Sequence, residues 1–141
     1  MSIHARDTRA IPEETARLAR AIYPTGTVAM RLRDELEDFL DEAFALLFHS
    51  PGNPAEAPWR LAVVLVLQYI EHLTDEQAAG AVRTRVDWKY ALGLTLDDPG
   101  FDAAVLAQFR ARLLETDASI LLLQVLSEYC KHRGWLKSDN G

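Results

Sequence analysis

Three cations fall within eight residues, at Arg83, Arg85 and Lys89, with the single anion Asp87 among them. Arg110 and Arg112 follow further along the chain. Cations at such spacing neutralise phosphates, and an arginine fork can also pair with a guanine edge. Trp88 and Tyr90 are interleaved with them. Such rings either stack on a base or anchor a short helix from within, and beside a helix-stopping Gly93 the inward packing is expected. No other constellation suggests catalysis. The acid pairs Glu13-Glu14, Asp75-Glu76 and Asp97-Asp98 stand at helix starts or turns, where carboxylates have a structural reason to be. There is no glycine-rich phosphate loop, no His-Glu-x-x-His and no Gly-x-Ser-x-Gly. Cys130 and His132 supply two metal ligands where a closed zinc site takes about four. The chain by itself is therefore expected not to be an enzyme and to need no cofactor and no metal.

The elements that must position those cations all read as helices. Ile11-Pro12-Glu13-Glu14 starts one, since proline needs no amide donor in a first turn and acids favour the positive end of the helix dipole. That helix is expected to reach Ile22 and to break at Pro24-Thr25-Gly26. Leu32, Leu36, Phe39, Leu40, Ala43, Leu47 and Phe48 recur three or four residues apart, opposite an acidic face running from Asp34 to Glu42. Ser50-Pro51-Gly52-Asn53-Pro54 forms a loop. From Trp59 to His72 the chain is apolar nearly all round, with Arg60 as a flank, and predicts a buried central helix. Thr74 and Gln77 fit a capping box that opens a short helix. Gly80 within it is expected to allow a neighbouring helix to approach closely. A turn near Thr84 leads to a second short helix, Val86 to Leu92, stopped by Gly93. Together they have the dimensions of a helix-turn-helix, with Arg83, Arg85 and Lys89 at the turn and on the exposed side of the second helix. Asp102 can cap a helix from Ala103 to Leu114, and Asp117 or Ser119 a last helix that Gly134 stops. The fold class is all-α, a compact bundle of six or seven helices around a buried central helix.

The totals set limits. A chain of 141 residues with 49 % hydrophobic residues is long enough for one domain with its own core. One cysteine excludes an intrachain disulfide and suits a reducing cytoplasm. The N-terminus lacks the apolar run of a secretory signal, and the longest apolar run, Leu61 to Leu67, is too short for a bilayer span, so no membrane is expected. The net charge of −6 argues against DNA binding by bulk charge, because nonspecific affinity comes mostly from phosphate neutralisation. A local basic face on an acidic protein remains open, and so does a solvated face of no consequence.

Several motifs in fixed order carry a resemblance. Leu67-Gln68-Tyr69-Ile70-Glu71 and Thr74-Asp75-Glu76-Gln77-Ala78-Ala79 lead into Asp87-Trp88-Lys89-Tyr90-Ala91-Leu92-Gly93-Leu94. Asp98-Pro99-Gly100-Phe101-Asp102 and Phe109-Arg110-Ala111-Arg112-Leu113 follow. This series resembles the N-terminal domain of bacterial insertion-sequence transposases of the Asp-Asp-Glu (DDE) type. The resemblance implies a helical module that recognises element DNA and helps to assemble the transposase on its ends. It implies transposon-end DNA as partner, and a homo-oligomer as a further one. It also implies that the catalytic DDE domain lies outside this chain, since none of the chain's acids matches that triad. The expected organisation is a single helical domain over 1–141, with 1–58 as a candidate N-terminal arm and 59–141 as core. Arg83, Arg85, Lys89, Arg110 and Arg112 are the expected DNA contacts. Arg110 and Arg112 could instead bridge to acids such as Glu115. The alternative function is a protein-interaction module, for dimerisation or for inhibition by a truncated transposase, with the acidic helix as its surface.

Overall fold

The structure, a computed structural model, describes residues 10–34 and 58–113 together with Ser127 and Lys131. The described residues hold six helices and no strand. Most of the expected acidic helix, the 50–57 loop, the helix after Asp117 and the Cys130–His132 pair lie outside them.

Helix α1 spans Glu13–Ile22. Pro12 precedes it, and the Ala16 amide donates to the Pro12 carbonyl at 3.0 Å. A turn then passes through Gly26, whose φ of +80° lies in the left-handed region that favours glycine. Helix α2 occupies residues 28–34. The Thr27 hydroxyl accepts from the Met30 amide at 3.3 Å and so caps its start.

Helix α3, Pro58–Glu71, is the central element and packs against the three helices that follow it. Leu61, Val64 and Leu67 are almost wholly removed from water. It ends at His72 with φ +59°, and the Leu73 amide reaches back to the Gln68 carbonyl at 3.1 Å. That is a left-handed helix stop built on a histidine rather than the usual glycine.

Helix α4, Asp75–Thr84, opens with the expected capping box. The Thr74 hydroxyl accepts from the Gln77 amide at 3.1 Å, and the Gln77 side chain accepts from the Thr74 amide at 2.9 Å. Arg85 alone joins it to helix α5, Val86–Leu92. The Arg85 amide donates to the Ala81 carbonyl, and its own carbonyl accepts from the Lys89 amide, so one extended residue ends one helix and starts the next. Gly93, at φ +65°, stops α5. Its amide donates to the Tyr90 carbonyl, while the Leu94 amide donates to that of Lys89. This paired arrangement satisfies carbonyls that the helix end leaves over.

Helix α6, Ala103–Leu113, lies against α3 and α4. It runs antiparallel to α4. Gly100, just before α6, abuts Val82 near the end of α4, whereas Arg110 pairs with Asp75 at the start of α4. The close approach expected at Gly80 is found at Gly100 instead. A Cβ at Gly80 would meet nothing within 4 Å, but one at Gly100 would stand 3.2 Å from Val82 Cγ1.

Residues 10–34, within the candidate N-terminal arm, pack on the rest. Ala29 and Leu32 belong to the main core, and Ala19 and Met30 enclose a smaller one with Tyr90. The buried Thr15 hydroxyl donates to the Leu94 carbonyl at 2.8 Å.

Candidate nucleic-acid interface

Helix α5 carries the Asp87–Leu92 motif, and it is an enclosed element. Asp87, Trp88, Lys89, Tyr90, Ala91 and Leu92 are all buried. A helix that reads a groove must expose a face. This one buries every residue except the partly exposed Val86, and its link to α4 is a single residue rather than a turn of three or four. Trp88 and Tyr90 point inward as expected, at 0 % and 2 % exposure.

Arg85 sits at the corner, partly exposed. Its guanidinium donates to both carboxylate oxygens of Glu71 and to both of Asp87. Glu71 also accepts from Trp88 Nε1 at 3.1 Å, and the Arg85 guanidinium lies 5.4 Å from the Trp88 ring. Burial works against the Arg85 charge. The hydrogen bonds from Asp87 and Glu71 outweigh it and hold its pKa above the usual arginine value.

Lys89 is 2 % exposed, so it does not lie on an outer side of α5. Its ammonium donates to the Asp98 carbonyl at 2.7 Å and so fixes the loop between α5 and α6. Burial pulls its pKa down, against the raising effect of Asp98 and Asp97, while the Arg83 charge adds to the lowering. In the same loop, Asp98 Oδ1 accepts from the Gly100 amide at 2.8 Å.

Arg110 is engaged with Asp75 and Gln68. The bridge to an acid thus exists, with Asp75 as the acid. The Arg110 hydrogen bond holds the Asp75 carboxyl below its ordinary range, against the raising effect of burial. Arg83 and Arg112 are exposed. No ion pair or hydrogen bond among the described residues involves either side chain, although Arg112 lies 6.0 Å from the Phe109 ring. The structure does not bring these two together. In the antiparallel α4–α6 pair, Arg83 stands at the Gly100 end and Arg112 beyond Arg110 at the Asp75 end.

Two cations outside the five candidates hold the centre. Arg33 and Arg60 are 3 % and 5 % exposed. Arg33 Nη1 donates to the Ala91 carbonyl at 3.0 Å, and Arg60 donates to the carbonyls of Leu92 and Gly93. Between them they cover the carbonyl end of α5, where cations are favoured by the helix dipole. Arg60 lies 4.6 Å over the Trp59 ring, and Arg33 5.7 Å from it. Burial and the neighbouring Arg33 lower the Arg60 pKa to about 10, with Asp98 acting in the opposite sense. The available signal was an arginine inside an otherwise apolar helix, which must find acceptors if it is buried. Tyr90 is likewise placed by polar partners. Its hydroxyl donates to Asp34 at 2.8 Å and accepts from Arg20 at 3.2 Å. Burial and Asp34 raise its pKa.

Among the described residues, no three His, Cys, Asp or Glu side chains are grouped to hold a metal ion. Among them, too, no helix is long and apolar enough to cross a membrane.

These geometries define a class: an all-α domain whose buried cations fasten its own helices and whose motif helix is internal. Residues 19–112 match the family described as Transposase domain (DUF772), and the chain belongs to that family. No curated protein and no solved structure matches the chain.

Proposed function

We propose that the chain is the non-catalytic helical domain of an insertion-sequence transposase, which engages element DNA in the cytoplasm and helps to assemble the transposase on its ends. The family match over residues 19–112 is the observation that carries this reading. Of the five candidate cations, Arg83 and Arg112 are the proposed phosphate contacts: both are exposed, and neither has an ion pair among the described residues. Arg85, Lys89 and Arg110 serve the interface indirectly, by fixing the α4–α5 corner, the 94–100 loop and the α4–α6 pair.

The test is a titration of the chain against duplexes with and without element-end sequence, at two salt concentrations. Each lost phosphate contact lowers the slope of log affinity against log salt by about 0.9. Arg83→Gln with Arg112→Gln is therefore expected to lower it by about 2. An unchanged slope and affinity would remove these two residues from the interface.

A second reading, a protein-interaction module that dimerises or blocks a transposase, is favoured by the net charge of −6 and by the exposed Tyr69. Sedimentation equilibrium tests it. A mass of one chain at all accessible concentrations would exclude self-association.

A further inference from the structure

Between Glu14 and Asp34 the chain carries no acid. No other interval between acids is as long, and this one holds Arg17, Arg20, Arg31 and Arg33. In a chain of net charge −6, such a run concentrates positive charge locally. It folds as α1, the turn through Gly26, and α2. Arg33 turns inward to the Ala91 carbonyl, and Arg17 pairs with Glu14 at 3.1 Å. Arg20 and Arg31 stay exposed, and neither forms an ion pair among the described residues. The turn places both. Arg31 Nη1 would lie 3.9 Å from a Cβ at Gly26, so its guanidinium lies over the turn. Arg20, in the last turn of α1, donates to the Tyr90 hydroxyl at 3.2 Å and lies 5.5 Å from that ring. The same hydroxyl donates to Asp34, one helical turn from Arg31, so Arg20 reaches across to α2. Tyr23 in the turn and Val86 at the start of α5 pack on one small cluster. The turn thus lies beside the α4–α5 corner, with Arg83 in the last turn of α4.

We propose that the α1–α2 turn is a second phosphate-contact surface, with Arg20 and Arg31 on the backbone of the duplex that Arg83 meets. The inference rests on the DNA-engaging reading above and adds two residues outside the five candidates. A guanidinium matches a phosphate with two parallel N–H donors, and these two have no partner charge among the described residues to give up. Arg20 is oriented in advance by Tyr90, so it has less side-chain freedom to lose on contact. From Asp34 onward the sequence turns acidic, which bounds the surface at Arg31. An anionic lipid surface is the competing partner. An interfacial helix needs an apolar face turned outward, and the one large apolar side chain that α1 exposes is Ile22.

The experiment is a salt titration of the full chain against a short duplex. Arg20→Gln with Arg31→Gln is expected to lower the slope of log affinity against log salt by about 2, whereas Arg20→Lys with Arg31→Lys keeps the parent slope. Arg31→Gln alone, which leaves the Tyr90 hydrogen bonds intact, should lower it by about 1. Far-UV circular dichroism and the urea midpoint check that each variant is folded, and the Arg31 variant carries the test should the double one unfold. A parent-like slope in both glutamine variants, while Arg83→Gln lowers it, would overturn this inference and leave the DNA-engaging reading standing. Absence of duplex binding by the parent chain at low salt would overturn both. Flotation of the parent chain with phosphatidylglycerol vesicles, lost in the glutamine pair while its duplex binding is unchanged, would overturn the inference in favour of lipid.

Discussion

Arg60→Ala tests whether buried arginines hold the carbonyl end of α5. Arg60 is 5 % exposed, donates to the Leu92 and Gly93 carbonyls, and lies 4.6 Å over Trp59. Truncation leaves two carbonyls without this donor, at about 1–3 kcal/mol for each buried group left unsatisfied. Loss of the stacked cation adds about 0.5–2 kcal/mol. Against this, burial of the charge is itself costly, as the pKa of about 10 records. A folded pKa below the unfolded one means that the unfolded chain binds the proton more tightly. The penalty is therefore present in full below pH 10 and is relieved only as pH rises from about 10 towards the ordinary arginine value. At pH 7 the variant escapes that penalty, which offsets about 3 kcal/mol of the lost contacts, and the net loss is expected at about 2 kcal/mol. Arg60→Met, which refills most of the volume, should lose about 1–2 kcal/mol. Urea unfolding followed by far-UV circular dichroism measures both, provided the m-value is unchanged. A loss below about 1 kcal/mol for Arg60→Ala would refute the reasoning, since it is less than one orphaned carbonyl should cost.

Other outcomes follow from single positions. Arg110 depresses the Asp75 pKa, so that carboxylate adds stability above the ordinary value, and the contribution disappears as pH falls through the lowered one. Asp75→Asn should then flatten the loss of stability below about pH 4 in an acid titration followed by circular dichroism. An equally steep curve would show that the pair is not coupled to folding. His72 occupies a left-handed position that suits glycine, so His72→Gly should stabilise the chain by about 0.5–1 kcal/mol, read as a rise in the urea midpoint. Gly80→Ala should also stabilise it, by about 0.5–1 kcal/mol, because its Cβ meets open space. Gly100→Ala should destabilise it, through φ +74° and the 3.2 Å contact with Val82, and thermal melts that ranked the two glycine variants the other way would contradict the packing.

What the sequence discloses here is mainly local. The Thr74–Gln77 box, the Gly93 stop and the apolar 59–72 helix follow from rules that act within a turn or two, and each appears where expected. The fate of the cations is not local. Arg85 turns inward because Glu71, fourteen residues away, stands one helix end from it, and Arg110 because antiparallel packing brings Asp75 alongside. Lys89 reads as surface by type, yet it is flanked by two inward rings and finds its acceptor in the loop that follows. Gly80 and Gly100 exchange roles for the same reason. Which glycine meets a neighbour depends on the placement of α6, and helical periodicity does not encode that.

The single-residue corner at Arg85 bears on how chain length can vary. The corner is one extended residue, so one residue added or removed between Thr84 and Val86 would change both the direction and the rotation at which α5 leaves α4. Trp88 would leave its place beside Glu71, and the ammonium of Lys89 would swing away from the 94–100 loop. Substitution at the corner alters one set of contacts, whereas an insertion there misplaces every side chain of α5 at once. Length changes that preserve this fold should therefore be missing at 84–86, a gap that a systematic insertion scan would map directly.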